Sequence, residues 1–238
     1  MPACRAILGG LIVALPLFST PVAAGDWFGW RADGSSNWSG VYAGLGVGAI
    51  DGDTGFQFLN GNSVPFDFGT SFVGSVHVGA QHQFGNFLLG VEGSMIVGDI
   101  NGNTTCPNVN FTCHAEVDAM WTVGPRLGFA FGNVLLYGTA GYALGSVKTH
   151  VRNINTGVNF ARSGEQHDGW FAGGGVEFAL TNAVILGIDY KHIDLETETH
   201  LTGQGINTQR DISPEFDVVQ ARLTFKIGRD EPRAVPLK

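Results

Sequence analysis

Ser75 and His77 are the two side chains of this sequence that together could form a nucleophile and its base. Their spacing of two residues places both on one face of a strand, and with an acid they would suit the chemistry of a hydrolase or an acyltransferase. The same face also carries Gly79, Gln81 and Gln83, so the pair fits better as polar filler. Since no other histidine groups with a nucleophile, we predict no catalytic residue, no metal site and no cofactor site.

Charged side chains make a second pattern, although they are only 14% of the chain against roughly 25% in an average soluble domain. Glu92 and Arg126 lie at matching distances from the ends of successive segments, and so do Asp189 and Arg222. Glycines flank them, which is unlike a solvated face, so we predict buried ion pairs with a structural role. The predicted charge network consists of Glu92, Arg126, Glu177, Asp189, Lys191, Arg222 and Lys226.

The segments that carry these residues alternate bulky apolar side chains with small or polar ones, which is the period of a β-strand. In the fourth segment, Val117 and Trp121 fall on the bulky face, whereas Asp118 and Arg126 fall on the other. Eight segments follow this pattern: residues 39–50, 71–84, 84–98, 116–131, 134–147, 169–180, 183–193 and 216–227.

The connections between these strands are of two kinds. Three are tight hairpin turns at Gly85-Asn86, Gly132-Asn133 and Thr181-Asn182, where Gly and Asn permit positive φ. Short turns at one end and long loops at the other are the layout of a membrane barrel. The predicted long connections are residues 51–70, 99–115, 148–168 and 195–215.

Two kinds of barrel fit this layout, and they differ in where the apolar face points. In a soluble barrel the apolar face points inward and encloses a ligand, whereas in a membrane barrel it points outward to lipid. The non-bulky face carries Gly, Ser, Thr and Gln, which suit a narrow interior better than a water-facing surface. Trp121 and Phe129 on the bulky face lie about 20 Å apart along a tilted strand, close to the apolar thickness of such a barrel. We therefore predict an all-β, eight-stranded antiparallel up-and-down transmembrane β-barrel.

The chain ends bound this barrel within the 238 residues. Residues 1–24 combine Arg5, an apolar stretch and the small residues Val22-Ala23-Ala24, which predicts a cleaved signal peptide. A membrane anchor is disfavoured because the stretch is short and contains Pro16 and Pro21. We further predict an N-terminal arm at 25–37, the barrel at 38–228 and a C-terminal tail at 229–238.

The net charge of the exported chain limits its partners, and the compartment to which it is exported determines the redox state of its cysteines. Loss of Arg5 with the signal peptide changes the net charge from −8 to −9, which argues against a nucleic-acid partner. Cys106 and Cys113 lie in one predicted loop, and in an oxidising compartment a disulfide between them is the favoured interpretation. Two free thiols remain the alternative, because spacing alone does not define geometry.

Five segments of the sequence resemble the small outer-membrane β-barrel surface proteins of Gram-negative bacteria, the OmpA-like or porin-family barrels. The resemblance covers most of residues 38–228. The segments are WSGVYAGLGVGA (38–49), FGNFLLGVEGSM (84–95), LLYGTAGYALGSV (135–147), GWFAGGGVEFAL (169–180) and ARLTFKIG (221–228).

The resemblance implies an outer-membrane location and a surface antigen that stabilises the cell envelope and presents its extracellular loops. It also implies contact with outer-membrane lipid and lipopolysaccharide, with the barrel-assembly machinery, and through the loops with host or envelope partners. A narrow porin-like channel is the alternative function, and an outer-membrane lipid-modifying enzyme is the third. One departure is the C-terminus, where Ile227 and a tail stand in place of the closing aromatic residue.

Overall fold

The computed structural model describes residues 36–202 and 209–227, in which every helix-or-strand element is a β-strand. Within these two ranges, no helix has the length and apolar character needed to cross a membrane. The predicted signal peptide, nearly all of the predicted arm and the predicted tail lie outside the described residues. The strands are β1 (Gly40–Phe58), β2 (Ser63–Asp67), β3 (Ser71–Phe84), β4 (Phe87–Thr105), β5 (Phe111–Phe131), β6 (Val134–Asn153), β7 (Asn159–Ala179), β8 (Val184–Leu195), β9 (Glu198–His200), β10 (Arg210–Ile212) and β11 (Glu215–Ile227).

Eight of these strands close into a ring. β1 pairs antiparallel with β3 on one side and with β11 on the other, so that Val41 lies opposite both Ala80 and Ile227. The ring continues through β4, β5, β6, β7 and β8 before it returns to β11. A closed ring pairs its backbone groups without leaving an edge, as a sheet in lipid requires. The predicted eight-stranded antiparallel barrel is confirmed.

The wall of the barrel carries bulky apolar side chains on its outside. Val91 and Leu186, for example, are 51% and 43% exposed. Outward-pointing aromatic rings mark the two limits of this apolar band, and we call the barrel between them the membrane half. The rings at its short-turn end are Phe84, Phe87, Phe131, Phe178 and Phe225, and those at the other end are Phe72, Trp121, Trp170 and Tyr190.

Beyond Trp121 and Trp170 the strands continue into what we call the extended half. The strands β4 to β7 are 19, 21, 20 and 21 residues long, whereas about 9–11 residues suffice to cross a membrane. At this end, only residues 106–110 between β4 and β5 and residues 154–158 between β6 and β7 remain as turns. The prediction of long irregular connections at 99–115 and 148–168 is therefore wrong for most of their length.

The faces of the strands change character at the boundary between the two halves. In the extended half Val147 and Val151 point inward and are buried, whereas Lys148 and Arg152 between and beyond them point outward. Above the lipid the outer face meets water, so it becomes polar and the interior becomes apolar. The pattern of bulky apolar residues on the outer face ends where this inversion begins. For that reason the sequence pattern did not predict the strands of the extended half.

β5 adds one further departure from the predicted faces. Its pairing with β6 shifts register between Val117 and Met120, as a β-bulge does, and its pairing with β4 shifts at the same level, between Val97 and Ile100 of β4. The extra residue turns Val117 into the interior and Asp118 to the outside, where Asp118 lies 2.5 Å from the ammonium of Lys148. The predicted positions of Val117 on the outer face and Asp118 in the interior are therefore wrong.

Candidate functional site in the barrel interior

The interior of the membrane half contains a layer of charged side chains built around Glu92 of β4. Its carboxylate lies 2.7 Å from Nη2 of Arg222 on β11 and 3.2 Å from Nη1 of Arg126 on β5. Both guanidinium groups are almost completely buried. Since β11 and β4 are not neighbours in the ring, the Glu92–Arg222 pair crosses the lumen.

Three further charges complete this layer. Glu177 of β7 lies 2.6 Å from Arg126, and Asp189 of β8 lies 2.9 Å from Arg222. The ammonium of Lys191 lies 3.7 Å from Glu92 and 3.9 Å from Asp189, and it also donates to Ser94 at 2.9 Å. Three carboxylates thus face three cations, and the layer has no net formal charge.

Two tyrosines link these ions. Tyr42 donates its hydroxyl hydrogen to Glu92 at 2.9 Å and accepts one from Arg126 at 3.1 Å. Tyr137 accepts a hydrogen bond from Arg222 at 2.9 Å, and its ring lies 3.6 Å below the guanidinium carbon of Arg126. Charge spacing alone did not identify the tyrosines, although both occupy interior positions in the alternation of their strands.

The seventh predicted charge, Lys226, lies apart from this layer. It is buried four residues further along β11, towards the short-turn end, where its ammonium donates to the carbonyl of Asn37. Next to it an apolar plug closes the same end of the lumen. The buried members of this plug are Trp38, Leu88, Ala130, Leu135 and Ile185.

Ser75 and His77 both point into the lumen, but the structure does not join them as a nucleophile and a base. The hydroxyl of Ser75 donates to the side-chain oxygen of Gln220, and Nε2 of His77 lies 2.8 Å from the hydroxyl of Thr224. Each polar group is thus bonded to a different residue of β11. This arrangement is that of interstrand polar filler.

The interior of the extended half is an apolar core. Within it Phe68 packs against Phe66 edge to face and against Phe216 at a tilt, with ring centroids 4.9 and 5.3 Å apart. A disulfide joins Cys106 to Cys113 across the turn between β4 and β5, with Cα atoms 5.3 Å apart. Within residues 36–202 and 209–227, no group of three or more His, Cys, Asp or Glu side chains is placed to hold a metal ion.

His167, His200 and Arg210 are ionisable side chains buried in that core, and the sequence patterns did not reveal them. Nε2 of His167 lies 2.8 Å from Nε2 of His200, and Nδ1 of His167 donates to the carbonyl of Glu196 at 2.9 Å. Burial lowers the pKa of both imidazoles, that of His200 to about 3. Arg210 lies opposite His200, 4.5 Å above the ring of Phe56, and burial lowers its pKa to about 10.

Comparison with known proteins places this architecture among outer-membrane barrels. The chain is 29% identical over 211 residues to the 31 kDa outer-membrane immunogenic protein of Brucella melitensis, which covers 82% of this chain and 83% of that protein. The same identity and coverage hold for the protein of that name in Brucella suis.

The chain is also similar to solved structures, and two of them serve as examples. The outer membrane protein OprG from Pseudomonas aeruginosa matches with a TM-score of 0.49 and 9% identity, over 82% of this chain and 99% of that chain. The attachment invasion locus protein Ail of Yersinia pestis matches with a TM-score of 0.41 and 13% identity, over 79% and 99% of the two chains. The sequence also matches the outer membrane protein beta-barrel domain family over residues 10–226. Because that match covers most of the chain, this protein belongs to the outer-membrane β-barrel family and resides in the outer membrane, as its sequence predicts.

Proposed function

We propose that the protein is a closed structural barrel that stabilises the envelope and presents its extended half at the cell surface. The observation that carries this proposal is the filled interior. The apolar plug, the charge layer and the apolar core of the extended half follow one another along the lumen.

The charge layer argues against the alternative of a narrow channel. A pore through it would require pairs such as Glu92–Arg222 and Glu177–Arg126 to separate inside the barrel. A buried ion that loses its partner costs about 3–5 kcal/mol. Eight-stranded barrels also have interiors that side chains fill. Diffusion of solutes through the resting barrel is therefore not expected.

The second part of the proposal concerns orientation. Barrels of this class place short turns in the periplasm and longer connections outside. On this basis the turns at Gly85 and Gly132 face the periplasm, and the extended half projects about 25 Å beyond the apolar band. The Brucella relative is described as immunogenic, which fits an antigen with such a surface. Outer-membrane lipid, lipopolysaccharide, the assembly machinery and host molecules are proposed contacts of this barrel.

A pair of epitope insertions combined with conductance tests this function. A tag between Asn155 and Thr156 should bind antibody on intact cells, whereas a tag between Gly85 and Asn86 should bind only after permeabilisation. Purified protein that shifts on unheated gels, as folded barrels do, should give no steady conductance in planar bilayers. Stable conductance steps from that folded protein would support the channel instead. Equal labelling of both tags on intact cells would overturn the proposed presentation.

The envelope role needs a separate measurement. A strain that lacks the protein should become more sensitive to detergent and to chelators, and the wild-type gene should restore resistance. Unchanged sensitivity in the deletion strain would remove the stabilising role and leave only surface presentation.

A further inference from the structure

His114 of β5 and His150 of β6 form a pair on the outer wall of the extended half. They are direct partners in the antiparallel ladder, and both point outward. Their rings lie face to face, with centroids 4.5 Å apart and planes inclined by 6°. Both side chains are partly exposed, so an ion can reach them from the solvent.

We propose that His114 and His150 together form a binding site for a divalent transition-metal ion such as Zn²⁺ or Cu²⁺. Imidazole nitrogen is a preferred ligand of both ions, with a bond of about 2.0–2.1 Å to Zn²⁺. To bind a shared ion, the two rings would rotate out of their parallel stack until one nitrogen of each faces that ion. Because the ladder holds both strands in register, little backbone order has to be gained on binding. Water completes the coordination.

The charges around the pair both support and limit this site. Glu116 lies on the same outward face, two residues from His114 and opposite Lys148. Lys148 is already engaged by Asp118 at 2.5 Å, which leaves the carboxylate of Glu116 to offset the charge of an ion. Arg152 and Arg162 lie near the rings and oppose a cation. We therefore expect a site that is weaker than a closed four-ligand zinc centre.

The protonation state of the rings favours binding at neutral pH. Burial lowers the pKa of both imidazoles, nearby arginines lower it further and Glu116 raises it, and the net direction is downward for both, so the rings are neutral at pH 7. Metal binding requires the lone pair of a neutral ring and competes with protons. Affinity should consequently fall in acid.

Titration of the untagged, folded barrel in detergent micelles tests the site. Zn²⁺ binding measured by calorimetry should show one ion per chain. The electron paramagnetic resonance spectrum of the Cu²⁺ form should show two coordinated imidazole nitrogens. His114→Ala and His150→Ala should each weaken binding at least tenfold and leave at most one such nitrogen, while Glu116→Gln should weaken binding by a smaller factor.

His192→Ala is the matched control, because His192 is also partly exposed on the outer face but pairs with Asp217 at 2.9 Å. It should leave the affinity for both ions unchanged. Each variant must still shift on unheated gels, which shows that the barrel is folded. The proposal fails if His114→Ala binds as tightly as wild type, or if the wild-type Cu²⁺ spectrum shows a single imidazole.

Discussion

The two halves of this barrel are built from the same strands, but one half is surrounded by lipid and the other by water. In the membrane half the outside is apolar and the inside holds ions, as Val91 and its neighbour Glu92 illustrate. In the extended half the order is reversed, with Lys148 outside and Val147 inside. A strand alternates in both, so periodicity alone does not say which face is the interior. The medium around each half, lipid or water, determines on which face of the strands charged side chains are stable.

The comparison also shows why the two interiors are stabilised differently. The extended half has water outside, so burying apolar side chains such as Phe216 and Ile193 supplies its stability. In the membrane half lipid covers the apolar side chains in any case, and the interior has to satisfy its polar groups instead. Glu92, Arg126 and Arg222 satisfy one another there through ion pairs. The two halves should therefore respond differently to loss of charge.

The largest expected effect comes from Arg222→Met in the membrane half. This change leaves Asp189 with Lys191 as its nearest cation and gives the layer a net negative charge. Since a buried ion without its partner is costly, the free energy of unfolding should fall by about 3–5 kcal/mol. Urea unfolding in detergent micelles, followed by tryptophan fluorescence and unheated gels, measures the loss.

Arg152→Met in the extended half is its control, because Arg152 points outward and is exposed. Its effect should stay within about 0.5 kcal/mol, as for most surface substitutions. If both variants lost stability equally, the distinction between a charged interior and a charged exterior would be mistaken.

Much of the membrane half could be predicted from the sequence, since lipid imposes one simple pattern on it. The alternation around Val91 and the turn at Gly85 identified strands, and equal distances from the turns suggested that Glu92 meets Arg126. The structure places these two side chains 3.2 Å apart. Such reasoning works because strand spacing converts residue numbers into height in the barrel.

The extended half was missed for physical reasons that particular residues make clear. Because the faces are inverted, the strand residues that follow Val147 have the sequence pattern of a polar loop. The bulge at Asp118 reversed the faces of β5 without any Gly or Pro at that point to signal it. The contact between His167 and His200 joins β7 to a short strand 33 residues away, which local patterns do not report.

The second prediction is that acid loosens the extended half before the membrane half. His200 has a pKa of about 3 in the folded protein against an ordinary value of 6.5. Between these two pH values, His200 is protonated when this region opens but stays neutral when it is folded. This stability is fully present above pH 6.5 and is lost as the pH falls towards 3. At pH 5 the loss should be about 2 kcal/mol for opening of this region.

Hydrogen exchange of peptides from β7 and β9, compared between pH 7.5 and pH 5 after correction for intrinsic rates, measures that loss. His200→Gln should remove most of it, because the amide can still donate to His167 but does not titrate. Peptides from the membrane half of β5 and β6, which contain no histidine, serve as the internal control. Equal protection at both pH values, or an unchanged loss in the variant, would contradict the assignment to His200.

The smallest expected effect tests the bulge in β5. Because Asp118 lies outside and is about half exposed, its ion pair with Lys148 is screened by water. Asp118→Asn should therefore change the free energy of unfolding by about 1 kcal/mol or less. The same substitution at Asp189, in the charge layer, should cost several times more. If Asp118→Asn were as damaging as Asp189→Asn, Asp118 would lie in the lumen, as simple alternation predicts, and the inversion of faces would begin further from the membrane than the structure places it.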